Sequence, residues 1–245
     1  MDIGNAWNVA LKDFKIYTRK PSVIYATVAM PLIVGVVFPL ILDYSLHKSA
    51  KALSAARAPG LMDAFSIWFV IGAAVIPTAI ASYSLVGEKM QKSLEPMLAT
   101  PMSDGDILLG KTISALLLPV VALYAGSISY MALMDYFTRG TLGYYYYPNW
   151  HIGAILLAAP LAALLSVEVN VVISSRMTDV RSAQQTGVLF MLPFIGLFLA
   201  SEVGLFVMND TNLTILAGAL AAISVGTFFV AKATFQREEI LTRWR

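Results

Sequence analysis

Cysteine is absent from this sequence of 245 residues, and charged residues make up only 13% of it. The absence of cysteine excludes disulfide bonds, zinc sites built on thiolates and cysteine nucleophiles. Soluble globular domains carry about 25% charged residues. The shortage of charge, together with 58% hydrophobic residues, therefore places the chain among integral membrane proteins.

Histidine and basic clusters are scarce as well. The net charge is only +2 and the basic residues are spread over loops, which excludes a nucleic-acid surface, since such surfaces gather Lys and Arg on one face. The two histidines, His47 and His151, fall in predicted outer loops, and no His, Asp or Glu cluster has metal-ligand spacing. We therefore predict a protein that is not an enzyme and that binds no metal or cofactor itself.

Six apolar stretches are each near the roughly 20 residues needed to cross a bilayer. They predict an all-α membrane protein whose six-helix bundle covers residues 22–231. The stretches are Ser22–Leu42, Ala64–Val86, Ile107–Met134, Ile152–Ser175, Gly187–Met208 and Leu213–Ala231. Of the 17 Lys and Arg residues, 13 lie in the two termini and the second and fourth loops. The positive-inside rule then predicts a multi-pass cell-membrane protein with both termini cytoplasmic, including a tail over residues 232–245.

Residues 1–21 show helical periodicity with one apolar and one polar side. We expect a helix lying in the membrane interface, ended by Pro21. The apolar side is formed by Ile3, Trp7, Ala10, Leu11, Phe14 and Tyr17. The aromatic run Gly143–Trp150 is likewise predicted to form a belt at the outer interface.

Ionisable or strongly polar residues interrupt two of the apolar stretches. A carboxylate in hydrocarbon costs about 3 kcal/mol or more, so Glu168 and Asn170 in the fourth stretch are candidates for a translocation path. Alternatively, Glu168 pairs with a helix bearing Lys111 or Arg176. Glu202 is a third candidate, and we expect the fifth helix to end near Leu199 in a re-entrant turn before the last helix.

A charged run, Glu88–Lys111, separates the second and third stretches, and we interpret it as a docking surface for a soluble protein. Ser103 and Asp106 fit a capping box that starts the third helix. Gly105–Thr112 matches the phosphate-loop pattern GxxxxGK[ST] in every letter. That loop must follow a buried strand, whereas here the preceding residues form no strand and the match falls inside the predicted helix. We therefore reject nucleotide binding at this site.

The same run resembles the hallmark of type-2 ABC transporter permeases, which reads roughly E-K-(x)-G-T-L-E-x-L-L-A-T-P-(L/V)-S-x-x-x-I-x-x-G-K. Ser93 stands where Thr is usual, and Met97 and Met102 replace aliphatic residues. The resemblance implies that residues 87–106 form a coupling loop that fits a groove of a separate ATPase subunit. Its coupling residues are Glu88, Lys89, Ser93, Leu94, Glu95, Pro96, Met97, Leu98, Ala99, Thr100 and Pro101.

The resemblance also implies the function and the partners. The chain would be the permease subunit of an ABC exporter, paired with a second permease copy, identical or different, in the lipid bilayer. ATP and Mg would bind the partner ATPase and not this chain. From the residues alone, an ion-coupled transporter or channel that uses Glu168 or Glu202 remains the alternative.

Overall fold

The computed structural model describes residues 3–47, 57–90, 100, 102–142, 146–177, 179–203, 205 and 209–234. Secondary structure in this part is helical, without a β-strand. The helices are α1 (Ile3–Thr18), α2 (Pro21–Leu32), α3 (Phe38–His47), α4 (Ala58–Ser66), α5 (Trp68–Met90), α6 (Asp104–Leu142), α7 (Trp150–Arg176), α8 (Val180–Val188), α9 (Leu192–Glu202) and α10 (Asp210–Thr234).

Six helical segments are long and apolar enough to cross a membrane, which confirms the predicted all-α fold. By chain order they are the first span (Pro21–His47), the second (Ala58–Glu88), the third (Asp104–Gly140), the fourth (Trp150–Ser174), the fifth (Val180–Ala200) and the sixth (Asp210–Lys232). The side at which the second span ends and the third begins is called the loop side below, and the other side the far side.

The fifth span begins earlier than predicted. Its helix starts at Val180 rather than Gly187, because Asp179 caps it by accepting a hydrogen bond from the Ser182 amide, N···O 2.9 Å. Hydropathy could not place this start, since the first two turns are polar. At the other end the helix continues to Glu202, beyond the predicted Leu199. The expected re-entrant turn falls largely outside the described residues, so it stays a prediction.

The core of the bundle is the contact between the second and fourth spans. Small side chains allow the two helices to approach closely, and these are fully buried alanines: Ala73, Ala74, Ala158, Ala162 and Ala163. At this contact the Ser166 hydroxyl donates to the Ala74 carbonyl across 2.7 Å. The third and sixth spans also pack on the fourth, the fifth packs on the second and the fourth, and the first packs on the third and the second.

The first span packs on the third where two glycines meet. A π-helical segment, Ile33–Val37, interrupts the first span after Pro31. A Cβ added at Gly35 would lie 2.6 Å from the Gly126 carbonyl oxygen, and one at Gly126 would lie 2.7 Å from the Pro31 Cβ. The backbones therefore touch here, and larger residues would separate the two spans.

Helix α1 lies along the beginning of the third span. Its buried face consists of Ala6, Val9, Ala10, Asp13 and Tyr17, whereas three residues of the predicted apolar side, Ile3, Trp7 and Leu11, are exposed. The helix thus has three sides: one packed on the bundle, one apolar and exposed, and one polar. Its location in the membrane interface stays a prediction.

Candidate functional site

The third span begins with the predicted capping box. The Ser103 hydroxyl accepts from the Asp106 amide at 3.2 Å, and the Asp106 carboxylate accepts from the Ser103 amide at 3.0 Å. This reciprocal pair satisfies amides that a helix start leaves without partners. The helix begins at Asp104, so it has a defined first turn directly after the loop.

The residues that spell the phosphate-loop pattern have structural roles. Residues 105–112 are helical, so their backbone is committed to the helix rather than to cradling phosphate. Gly110 is required because a Cβ there would lie 2.5 Å from the Ala6 carbonyl oxygen and 2.7 Å from the Val9 Cβ. Its neighbour Lys111 is fully buried. Gly110 and Lys111 of the pattern therefore serve the packing of α1 on the third span.

Four charged residues meet at the root of the loop, and we call them the loop-root cluster: Lys12, Asp13, Glu88 and Lys111. The Lys111 ammonium donates to Glu88 Oε2 at 2.6 Å and to Asp13 Oδ2 at 3.4 Å. The Lys12 ammonium donates to Glu88 Oε1 at 2.7 Å and lies 3.8 Å from Asp13 Oδ1. The cluster joins α1, the end of the second span and the start of the third.

Burial makes the cluster interdependent. The cluster contains two positive and two negative charges, so its net charge is zero. Asp13, Glu88 and Lys111 are all buried. Removal of one charge therefore leaves an opposite charge buried without a partner. Burial raises the pKa of the Asp13 carboxyl above its ordinary value, although the neighbouring Lys111 and Lys12 oppose that rise. The ionised form of Asp13 therefore depends on the two lysines.

Sequence reasoning missed Asp13 and Lys12 as partners in this cluster. A signal was present, since Asp13 continues the stripe of Ala6, Val9 and Ala10 at helical spacing. The stripe was not recognised because the larger side chains Trp7 and Leu11 dominate the apolar periodicity. Those larger residues lie on the exposed side instead.

The predicted coupling residues are only partly described. Glu88 is buried in the loop-root cluster, with its carboxylate held by two lysines of the same chain. Thr100 is half-buried just before the capping box. The remaining residues lie outside the described part, either wholly or in their side chains: Lys89, Ser93, Leu94, Glu95, Pro96, Met97, Leu98, Ala99 and Pro101.

Two of the predicted path residues, Glu168 and Asn170, face different parts of the bundle. Asn170 faces the second and fifth spans, where Ser82 donates to its side-chain oxygen at 3.2 Å and Gly187 leaves room for it. Glu168 instead lines a cavity between the third, fourth and sixth spans. Its predicted partner Lys111 is held by Glu88 and Asp13. The side chain of Glu202 lies outside the described residues.

A second polar network lies on the far side. The Asp135 carboxylate accepts from the amides of Tyr146 and Tyr147, both at 2.9 Å, and the Tyr146 hydroxyl donates to Asp63 at 3.1 Å. Tyr147 is only 4% exposed, so the predicted aromatic belt is wrong for this residue. The reason is that Asp135 draws the backbone of the loop into the bundle.

His151 lies next to that network, in the first turn of the fourth span. Its Nδ1 is 3.2 Å from Asp210 Oδ1, at the start of the sixth span, and its Nε2 is 3.9 Å from Asp63 Oδ1. The far-side ends of three spans are thereby connected. No group of metal-ligating side chains occurs in the described residues.

Comparison with known proteins identifies the family. The family model described as ABC-2 family transporter protein matches residues 7–235, which includes most of α1, the loop-root cluster and all six spans. No curated protein gives a match. Because the family match extends over nearly the whole chain and agrees with the six spans, this chain belongs to the ABC-2 family of transporter proteins and is a multi-pass ABC transporter permease.

Proposed function

We propose that the chain is the membrane subunit of an ATP-driven exporter and that its coupling loop, residues 87–106, docks on a separate ABC ATPase. ATP and Mg bind that partner, and this chain provides the path for the cargo. The loop side is cytoplasmic in the cell membrane, in keeping with the 13 of 17 Lys and Arg residues that the sequence carries in the two termini and the second and fourth loops.

The observation that carries the proposal is the loop-root cluster. Glu88 is the last residue of the second span and Lys111 lies in the second turn of the third-span helix, so their 2.6 Å contact closes the base of the loop. Asp13 and Lys12 attach α1 to the same point. A force applied to the loop therefore acts on three helices together.

The third span is suited to carry such a movement across the bundle. Its helix, α6, has 39 residues, which corresponds to about 58 Å at 1.5 Å per residue. It starts at a capped turn beside the loop and reaches Asp135 in the far-side network. A continuous helix of this length connects the two sides of the membrane, as alternating access requires.

A dimer of permeases completes the proposal. In the most apolar part of the first, fifth and sixth spans, only 28%, 17% and 22% of the residues are buried. These spans therefore offer apolar faces to lipid or to another helix bundle. Two copies related by two-fold symmetry would cover part of these faces and enclose a path between them. The ion-coupled alternative, which relies on Glu168 or Glu202, is less favoured, because the family model that matches the chain is one of ABC transporters.

Copurification tests the proposal. The tagged full chain is isolated from its native membranes in mild detergent, and proteins bound to it are identified by peptide mass spectrometry. We expect an ATPase with the sequence motifs of the ABC class and vanadate-sensitive ATP hydrolysis in the same fraction. A purified chain that moves solute into liposomes without any nucleotide hydrolase would contradict the proposal.

A further inference from the structure

A cavity of about 440 Å³ lies between the third, fourth and sixth spans, and no residue of the loop-root cluster lines it. Its walls are mainly apolar and include Leu109, Leu161, Leu164, Phe228 and Phe229. Phe229 and a further lining residue, Val225, are 64% and 60% exposed. The cavity therefore opens at the surface of the bundle. Its volume falls within the range of about 300–1,000 Å³ that is typical of small-molecule sites.

Three buried polar side chains line this apolar cavity, one from each span. They are Thr112 of the third span, Glu168 of the fourth and Ser224 of the sixth, and each is at most 3% exposed. Thr112 Oγ1, Glu168 Oε2 and Ser224 Oγ have no hydrogen-bond partner within the part of the chain that the structure describes. Buried polar atoms are normally satisfied, so three unsatisfied oxygens in one cavity indicate a ligand that supplies the missing hydrogen bonds.

The three side chains also lie at a similar depth. Thr112 is eight residues from the start of its helix at Asp104, and Glu168 is eight residues from the end of its helix at Arg176. Ser224 is ten residues from the end of its helix at Thr234. At 1.5 Å per residue these separations correspond to about 12 to 15 Å along each helix from its loop-side end. The polar atoms therefore lie inside the membrane-spanning part of the bundle.

We propose that this cavity binds the ammonium group of an amphipathic amine, with Glu168 as its counter-ion and Thr112 and Ser224 as additional hydrogen-bond acceptors. The carboxylate requires a positive partner, and an ammonium has several N–H donors for three oxygens. The apolar walls accommodate the hydrocarbon part of the molecule. The rings of Phe228 and Phe229 favour an organic cation further, since aromatic faces attract such groups.

Other ligand classes fit the cavity less well. A bare metal ion would need about six oxygen ligands, and the cavity is many times larger than an ion. An anion would meet the carboxylate of Glu168 without a neighbouring cation in the cavity lining. An uncharged lipid chain would fill the space but leave the three oxygens without partners.

The amine has two sources, and the experiment separates them. The full chain is placed in nanodiscs of phosphatidylglycerol, and binding of dodecylammonium is measured by calorimetry against the uncharged probe dodecanol. In a parallel arm, native mass spectrometry detects whether phosphatidylethanolamine from a mixed membrane stays bound to the chain. Saturable dodecylammonium binding indicates a free amine, and selective retention of phosphatidylethanolamine indicates a lipid headgroup.

Variants locate the binding in the cavity. Glu168→Gln keeps the shape of the side chain but removes the charge, and we expect at least a tenfold loss of amine affinity while dodecanol is unaffected. Ala221→Trp fills the cavity and should abolish binding without touching the carboxylate. Asp179→Asn is the matched control, because it removes an exposed loop-side carboxylate and should leave the affinity unchanged.

The inference is independent of the proposed ATPase partner, since binding is measured on this chain alone. It would be overturned if neither amine binds, if dodecanol binds as tightly as dodecylammonium, or if Glu168→Gln and Asp179→Asn bind the amine equally well. In any of these cases the copurification of an ATPase with the chain would still be expected. The two proposals can therefore fail separately.

Discussion

At the scale of single residues, the most consequential contact is the buried pair of Glu88 and Lys111. The sequence places both residues at the ends of one charged loop, which is enough to predict that they matter. It does not show that they touch each other, because the loop between them has to fold back first. Asp13 is 98 residues away from Lys111, so only the packing of α1 reveals its part.

We predict that Lys111→Met lowers the free energy of unfolding by about 3–5 kcal/mol, because it leaves two buried carboxylates with only Lys12. The double variant Lys111→Met/Glu88→Gln should lose less, since Lys12 and Asp13 then balance each other. Thermal unfolding of the purified variants in one detergent measures the difference. Lys232→Met, at an exposed lysine, is the control, and equal losses in the single and double variants would argue against the cluster.

At the scale of elements, hydropathy predicts which segments cross the membrane but not how they start or what they contact. The first four spans and the sixth lie within about six residues of their predicted ends. The fifth begins seven residues early because Asp179 starts a polar helix that hydropathy does not register. The contact of α1 with the third span was also missed, since it depends on small residues that carry little hydropathy signal.

Gly110 tests that contact. In Gly110→Ala the new Cβ would meet the Ala6 carbonyl, so α1 has to move away from the third span. We expect a lower unfolding temperature and faster hydrogen exchange in α1. Gly140→Ala is a matched control in the same helix, because no atom lies within 4 Å of a Cβ there, and alanine favours a helix by up to about 1 kcal/mol over glycine. Equal stability of the two variants would refute the close approach.

At the scale of the whole molecule, the distribution of Lys and Arg predicts that the loop side is cytoplasmic. The two sides of the bundle are distinct in the structure. Helix α1 contacts the loop root on one side, and His151 contacts Asp210 on the other. Which side faces the cytoplasm follows from the charges alone. The fold itself was predictable from the six apolar stretches, whereas the cavity with Glu168 was not, since three separate helices form it.

Single-cysteine labelling tests the orientation, and the cysteine-free chain needs no background substitutions. A maleimide that cannot cross membranes should label Leu205→Cys in intact cells, since Leu205 follows the far-side end of the fifth span and is 82% exposed. Ser93→Cys in the loop should be labelled only after the cells are permeabilised. Labelling of Ser93→Cys in intact cells would place the loop outside and exclude its proposed partner.

The central claim is that the loop between the second and third spans docks an ATPase that drives this bundle. It is tested most directly by the amount of ATPase that copurifies with each tagged permease when Leu94 and Leu98 are both replaced by Asp. Val203→Asp/Leu205→Asp is the control, since it likewise replaces two aliphatic residues by Asp, at two exposed far-side positions. We predict that the loop variant inserts into the membrane normally but retains less than a tenth of the ATPase, while the control retains all of it. Full retention of the ATPase by the loop variant would contradict the account.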